Sequence, residues 1–373
     1  MKILGKCSVC GISSPLVSSN LGVCSKCIKE KPEEALKVVS RVREVSRRSF
    51  NLPSSVPKSP EGVKCGMCRN ECAIPSGEKG FCGLSYNVEG SLTRLGGTPE
   101  KGILEWYYDP LPTNCVAWWF CPGCTGAGYP KYAYKPTAET GYMNLAVFYG
   151  ACSLDCLFCQ NWHYRTLSQR LSPYLSCEEL ADKVNSRVSC ICFFGGDPSV
   201  QMPHALKTSE IALKKAEDGK RILRICWETN GNMSKSFAIK AAELSFRSGG
   251  IVKYDLKAWD ENIYKALCGA SNKPSFENFR TIGEKYFRER PEVPVLTAST
   301  LLIPGYIDPS DVEEIAKFIA SVDPDIPYTL LAFYPQYVMS DLPTTSRKQA
   351  YDCYNAAKRY LRKVNIGNIH LLS

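Results

Sequence analysis

From residue 141 onward, strand-like and helix-like runs alternate, and this alternation restricts the fold more than any other feature of the chain. The strand candidates are NLAVFYGA, SCICFFGG, RILRICWETN, GGIVKYDLKA, VLTASTLLIPG and YTLLAFYP. Helical spacing of apolar residues predicts helices over 177–187, 204–218, 234–247, 274–290, 308–322 and 346–363. The strands recur about every 30 to 40 residues, the spacing of βα units in a parallel sheet. Six or more such units predict an α/β fold, a full or partial (β/α) barrel over residues 141–373. In barrels the chemistry sits at the C-terminal ends of the strands.

Cysteine is the second constraint. The chain of 373 residues carries 20 cysteines and only three histidines. The N-terminus MKILGKCSVCG does not read as a signal peptide, because a charge and two cysteines interrupt its apolar stretch. Metal binding is therefore favoured over a disulfide framework. Fourteen thiols fall in clusters between Cys7 and Cys159. The tightest is Cys152-x3-Cys156-x2-Cys159, in the run FYGACSLDCLFCQNWHYR. Three thiolates on one short loop can grip three irons of a cubane cluster, where four cysteines are usual. No fourth cysteine follows in the loop, so one iron keeps an open position, as a catalytic zinc does. The alternatives are a zinc knuckle short of one ligand, or core thiols. Zinc sites, however, usually pair C-x2-C units across a long gap.

That pairing does occur at the N-terminus. Cys7-x2-Cys10 and Cys24-x2-Cys27 read as a zinc ribbon, with rubredoxin-type iron as the alternative. A helix-like stretch, 32–49, follows with basic residues on its polar face. It reads first as a connector and second as a nucleic-acid contact. Residues 1–50 thus form a ribbon-like module plus helix. Residues 51–140 form a cysteine-rich metal-binding region after the linker FNLPSSVPKSPEG, with few regular elements in view. Cys65, Cys68, Cys72 and Cys82 supply four ligands for zinc or an auxiliary cluster. Cys115, Cys121 and Cys124, in CVAWWFCPGCTGAGYP, either bind metal with an unassigned fourth ligand or are buried structure. Cys190, Cys192 and Cys226 fall in apolar strands and read as small buried hydrophobes. His163 reads as a core or surface residue.

The ends of the strand candidates carry Gly195-Gly196-Asp197-Pro198, Glu228-Thr229-Asn230-Gly231, Asp255-Leu256-Lys257 and Leu301-Leu302-Ile303-Pro304-Gly305. Taken singly, each is a strand-to-loop turn. Paired glycines let backbone approach a ligand closely, and Asp197 could accept from an ammonium group. The cysteine triplet, with Phe158 in its second gap and Gln160, Asn161 and Trp162 after it, resembles the cluster loop of the radical S-adenosylmethionine (SAM) superfamily. The later motifs, in order, resemble the pyruvate formate-lyase activating enzyme branch. That resemblance implies a [4Fe-4S] cluster on Cys152, Cys156 and Cys159, with Phe158 beside the cofactor. Gly195, Gly196 and Asp197 would meet the SAM amino group, as a GGE motif does elsewhere. Asn230 and Lys257 would contact SAM, and Glu228 and Asp255 would hold a monovalent cation. Ile303, Pro304 and Gly305 would face the adenine or ribose. The segment EGVKCGMCRNECAIPSGEKGFCG and the closing FYPQYVMSDLPTTSRKQAYDCYNAAKR resemble AmmeMemoRadiSam-related members. The ribbon lies outside this resemblance, and CVAWWFCPGC departs from it.

The resemblance implies reductive cleavage of SAM to a 5′-deoxyadenosyl radical, fed by a ferredoxin or flavodoxin. The substrate would be a protein or other macromolecule, as in glycyl-radical activation. RNA modification and a non-catalytic metal-binding adaptor are the alternatives. Net charge is +9, from 46 basic and 37 acidic residues, which permits nucleic acid without demanding it. No apolar run is long enough to span a bilayer, and no cobalamin-binding region is evident. A cytoplasmic enzyme without a membrane partner is expected.

Overall fold

The computed structural model describes residues 4–373. Its centre is a nine-stranded sheet. Seven strands run parallel: β2 (Met143–Tyr149), β3 (Val188–Gly195), β4 (Arg224–Thr229), β5 (Val252–Asp255), β6 (Leu296–Leu302), β7 (Tyr328–Ala332) and β8 (Val364–Gly367). They lie side by side in chain order, each joined to the next by a crossover containing a helix. Strand β1 (Gly102–Pro110) pairs antiparallel with β2, and the short strand Tyr174–Leu175 pairs with β1. The two edges of the sheet are β8 and Tyr174–Leu175, so the barrel is open.

All six predicted strands are present, and β8 is a seventh. It spans four residues, too short for periodicity to register. Strand β1 corrects the expectation of few regular elements before residue 140. Two antiparallel hairpins also lie there, Val63–Lys64 with Ala73–Ile74 and Ser85–Val88 with Ser91–Arg94.

Several of the crossover helices start where side chains cap them. Ser176 and Glu179 form a capping box, Asp260 accepts from the Ile263 amide, and Asp308 accepts from the Ser310 and Asp311 amides. The apolar faces of these helices and of the sheet build one continuous core.

The ribbon packs on this barrel. Tyr306 donates to the Val23 carbonyl at 2.8 Å, Ser18 donates to Asp341 at 2.8 Å, and Lys29 pairs with Asp311 at 3.0 Å. Helix Pro32–Arg48 then runs to the loop after β2. Its Arg43 and Arg47 are buried there, not solvated as the basic face of a connector would be. No helix among the described residues is long and apolar enough to cross a membrane.

Candidate active site

A chamber of about 190 Å³ opens where the ends of β3 to β6 converge on the loop after β2. Cys152, Cys156 and Cys159 line it together with Phe158, Gly195, Gly196 and Asp197. Glu228, Asn230, Asp255 and Lys257 line it as well. Eleven of the sequence-derived site residues thus share one cavity.

The cysteine loop is held by a buried charge cluster. Asp155, between the first two cysteines, is fully buried and meets three guanidiniums. Arg165 approaches it at 2.6 Å, Arg43 at 2.7 Å and Arg47 at 3.3 Å. Burial would raise the Asp155 carboxyl, but Arg165, Arg43 and Arg47 outweigh it and hold the group well below the usual carboxylate range. Two of these arginines come from the N-terminal helix and one from helix Tyr164–Arg170, so three segments converge on one carboxylate. Cys268 lies beside Cys156; its thiol lowers the Cys156 thiol from its ordinary value against the opposing effect of burial. Neither Asp155 nor Cys268 stands out in the sequence, because a lone Asp and a lone Cys carry no spacing signal.

The Gly195-Gly196 turn needs its glycines. Gly195 has φ +110°, and a Cβ on Gly196 would lie 2.1 Å from the Ala151 carbonyl. The turn is therefore pressed against the cysteine loop. Asp197 has a different task from the expected one. Its Oδ1 accepts from the Ser199 amide at 2.7 Å, and its Oδ2 from the Asn230 amide at 2.6 Å. Thr229 Oγ1 donates to the same carboxylate. The short aspartyl arm folds back onto backbone and ties the end of β3 to the end of β4. Asn230 turns to the loop, donating to Ser153 Oγ at 3.1 Å and reaching Cys152 Sγ at 3.5 Å.

The two carboxylates expected to hold a cation each meet a lysine. Glu228 pairs with Lys253 at 2.9 Å, and Asp255 pairs with Lys257. Lys253 is buried and belongs to no motif that would single it out in the sequence. Asp255 Oδ1 is buried without a hydrogen-bond partner, so the chamber has a polar group prepared for something it does not itself supply. Ile303, Pro304 and Gly305 do not line the chamber; Leu301 does. Strand β6 ends at Leu302, and the turn steps outward, where a Cβ on Gly305 would meet the Leu16 carbonyl of the ribbon at 2.1 Å. His163 stacks on Phe148 with ring centres 4.4 Å apart and does not line the chamber.

The other cysteine sets differ in spacing. Cys7, Cys10, Cys24 and Cys27 bring their sulfurs within 4.8 Å of one another, which suits a single tetrahedral ion. They are the one set among the described residues with three or more donors so close. The Cys152, Cys156 and Cys159 sulfurs converge on their chamber at wider spacing, as the corners of a polynuclear cluster would need. Together with the unpartnered Asp255 oxygen and the bare backbone at Gly195 and Gly196, this donor set fits a cubane cluster with an amino-acid-bearing ligand beside it. Cys65, Cys68, Cys72 and Cys82 surround one small enclosed cavity under the Ser85–Val88 hairpin. Cys115 and Cys121 are half-buried. They line a second chamber, inside the barrel, and Cys190, Cys192 and Cys226 line it too. Cys190 and Cys192 are buried, as expected, and Cys226 is half-buried; all three also form part of a cavity wall.

Residues 146–319 match the family model of the Radical SAM superfamily. An uncharacterized protein of Methanocaldococcus jannaschii is 27% identical over 316 residues, spanning 82% of this chain and 81% of its own length. A putative glycyl-radical enzyme activating enzyme of the same organism is 27% identical over 190 residues, 49% of this chain and 64% of that protein. Among solved structures, a domain of pyruvate-formate lyase-activating enzyme from Bacteroides vulgatus is similar over 48% of this chain and 98% of that domain. Its identity to this chain is 22% and the TM-score is 0.37.

Proposed function

We propose that this chain, whose residues 146–319 match the Radical SAM superfamily model, is a radical SAM enzyme that holds its cluster on Cys152, Cys156 and Cys159 and acts on a protein substrate. When bound, the cluster and SAM together supply a reductively generated 5′-deoxyadenosyl radical. The chain's own residues bind, orient and shield. The observation that carries this reading is the gathering of the three thiols and the strand-end motifs around one chamber. The Cys156 thiol is lowered from its ordinary value by Cys268, while burial raises those of Cys152 and Cys159. The Gly195-Gly196 turn lets backbone carbonyls approach an ammonium, the task expected of the Asp197 carboxylate. Asp255, with one oxygen unpartnered, is the carboxylate left to receive a hydroxyl or ammonium donor. Lys257 stands over the Phe158 ring at 5.7 Å and is placed to meet a ligand carboxylate. Lys253 supplies positive charge beside Glu228, so that carboxylate is balanced without a monovalent cation. The chamber is walled by protein on the strand side, which excludes water from a reactive intermediate.

A protein substrate is favoured over RNA by one observation. Arg43 and Arg47, two of the five basic residues of the N-terminal helix, are consumed internally by Asp155. The name of the putative activating-enzyme relative points the same way. The test is anaerobic crosslinking of the full chain in extract with SAM and dithionite-reduced flavodoxin. A protein adduct that depends on SAM is expected. Capture of RNA, with affinity falling steeply as salt rises, would overturn the substrate class while leaving SAM cleavage intact. We assign zinc to the ribbon, since its four thiolates suit one tetrahedral ion.

A further inference from the structure

Directly behind the radical chamber lies a second cavity of about 130 Å³, enclosed by β3, β4 and the insertion 113–124. Barrel interiors are normally filled by layers of bulky branched side chains. Here the inward positions of β3 and β4 carry Cys190, Cys192 and Cys226, and space remains between them and the insertion. Cys192 and Cys226 are direct partners in the parallel register, so their thiols leave the sheet side by side. The insertion brings thiols from the opposite side. Cys115 lies against Cys121, and Cys121 against Cys124. Thr329 of β7 fixes this segment across the lumen, donating to the Val116 carbonyl at 2.9 Å and accepting from the Trp119 indole at 3.2 Å. Lys253 reaches into the gap and donates to Cys192 Sγ at 3.2 Å.

We propose that this chamber binds an iron–sulfur cluster, ligated by Cys115 and Cys121 of the insertion and by Cys192 and Cys226 of the barrel wall. All four of these thiols line the chamber, whereas Cys124 turns to the Thr113 carbonyl. Cys192 shares Lys253 with Cys115, which makes it a wall thiol that faces the insertion. A single ion is disfavoured, because among the described residues only the ribbon draws three or more donors within 4.8 Å. A cluster, whose own sulfides span the gap, suits the wider spacing. The site is separated from the radical chamber by one layer of side chains, since Phe194, Glu228 and Lys253 line both. The inference goes beyond the proposed activity and does not depend on it.

The test uses the full chain, reconstituted anaerobically with iron and sulfide. In a background carrying Cys152→Ala, Cys156→Ala and Cys159→Ala, iron and labile sulfide are compared with and without Cys115→Ala plus Cys192→Ala. A further loss of about two to four irons per chain, the content of one cluster, is expected. Equal iron in both proteins overturns the proposal, whatever the activity of the unaltered enzyme. Should the multiple variant fail to fold, crystals of the reconstituted wild type are measured at the iron absorption edge. An anomalous peak between Cys115 and Cys192 is expected. An empty chamber, a zinc ion or a disulfide there overturns the proposal.

Discussion

Asp155 shows how much a single side chain can decide. It sits inside the cysteine triplet, carries no motif of its own, and is the point on which Arg43, Arg47 and Arg165 converge. Removing one partner from a buried ion cluster leaves uncompensated charge. Asp155→Asn is therefore expected to cost about 3–5 kcal/mol of stability and to lower iron retention. Denaturant unfolding with iron analysis measures both; a variant within about 1 kcal/mol of wild type would contradict the clamp. His204 makes a second point at this scale. It is buried; its Nε2 donates to the Leu175 carbonyl at 3.0 Å, and its Nδ1 accepts from the Tyr149 hydroxyl at 2.8 Å. Burial lowers its pKa to about 4 despite the Leu175 and Ser176 backbone contacts. The unfolded chain, with a histidine near 6.5, then binds more protons between about pH 4 and 6.5. The contribution is fully present above about pH 6.5 and is lost as pH falls to about 4, on the order of 3 kcal/mol. Urea unfolding across that window should show a shallower pH slope for His204→Gln. Parallel slopes would contradict the assignment. Neither residue was legible as functional beforehand, because the burial that decides both is a property of the fold.

Among the elements, those with strong periodicity were legible and those defined by their partners were not. Strands β2 to β7 follow from apolar runs at regular spacing. Strand β1, GILEWYYDP, alternates exposed and half-buried positions from Glu105 to Tyr108, a signal hidden by the cysteines around it. The ribbon's tetrahedral spacing was legible from Cys7-x2-Cys10 and Cys24-x2-Cys27. Its docking on Tyr306, Asp311 and Asp341 was not, since those contacts join residues about 300 positions apart in chain. Because a module of this size depends on its metal to fold, stripping the ribbon should loosen the surface it covers. With Cys10→Ser, hydrogen exchange is expected to rise in residues 304–311 and 338–342. Unchanged exchange there would mean that the ribbon holds its place without metal.

At the scale of the whole molecule, the strand ends, the cysteine loop and the N-terminal helix form one assembly around one chamber. The motifs picked out residues that, apart from Ile303, Pro304 and Gly305, line that chamber, and local partners hold several of their side chains. Asp197 turned inward because its arm is short and backbone amides are close. The Ile303–Gly305 turn left the chamber because β6 ends at Leu302 and Gly305 packs against Leu16 of the ribbon. The central claim is that Cys152, Cys156 and Cys159 hold the cluster at which SAM is cleaved. Formation of 5′-deoxyadenosine by the reconstituted chain, with SAM and a low-potential reductant, tests it most directly. Wild type should produce it, and Cys156→Ala should fall to the level of a protein-free control. Undiminished 5′-deoxyadenosine from Cys156→Ala would contradict the account.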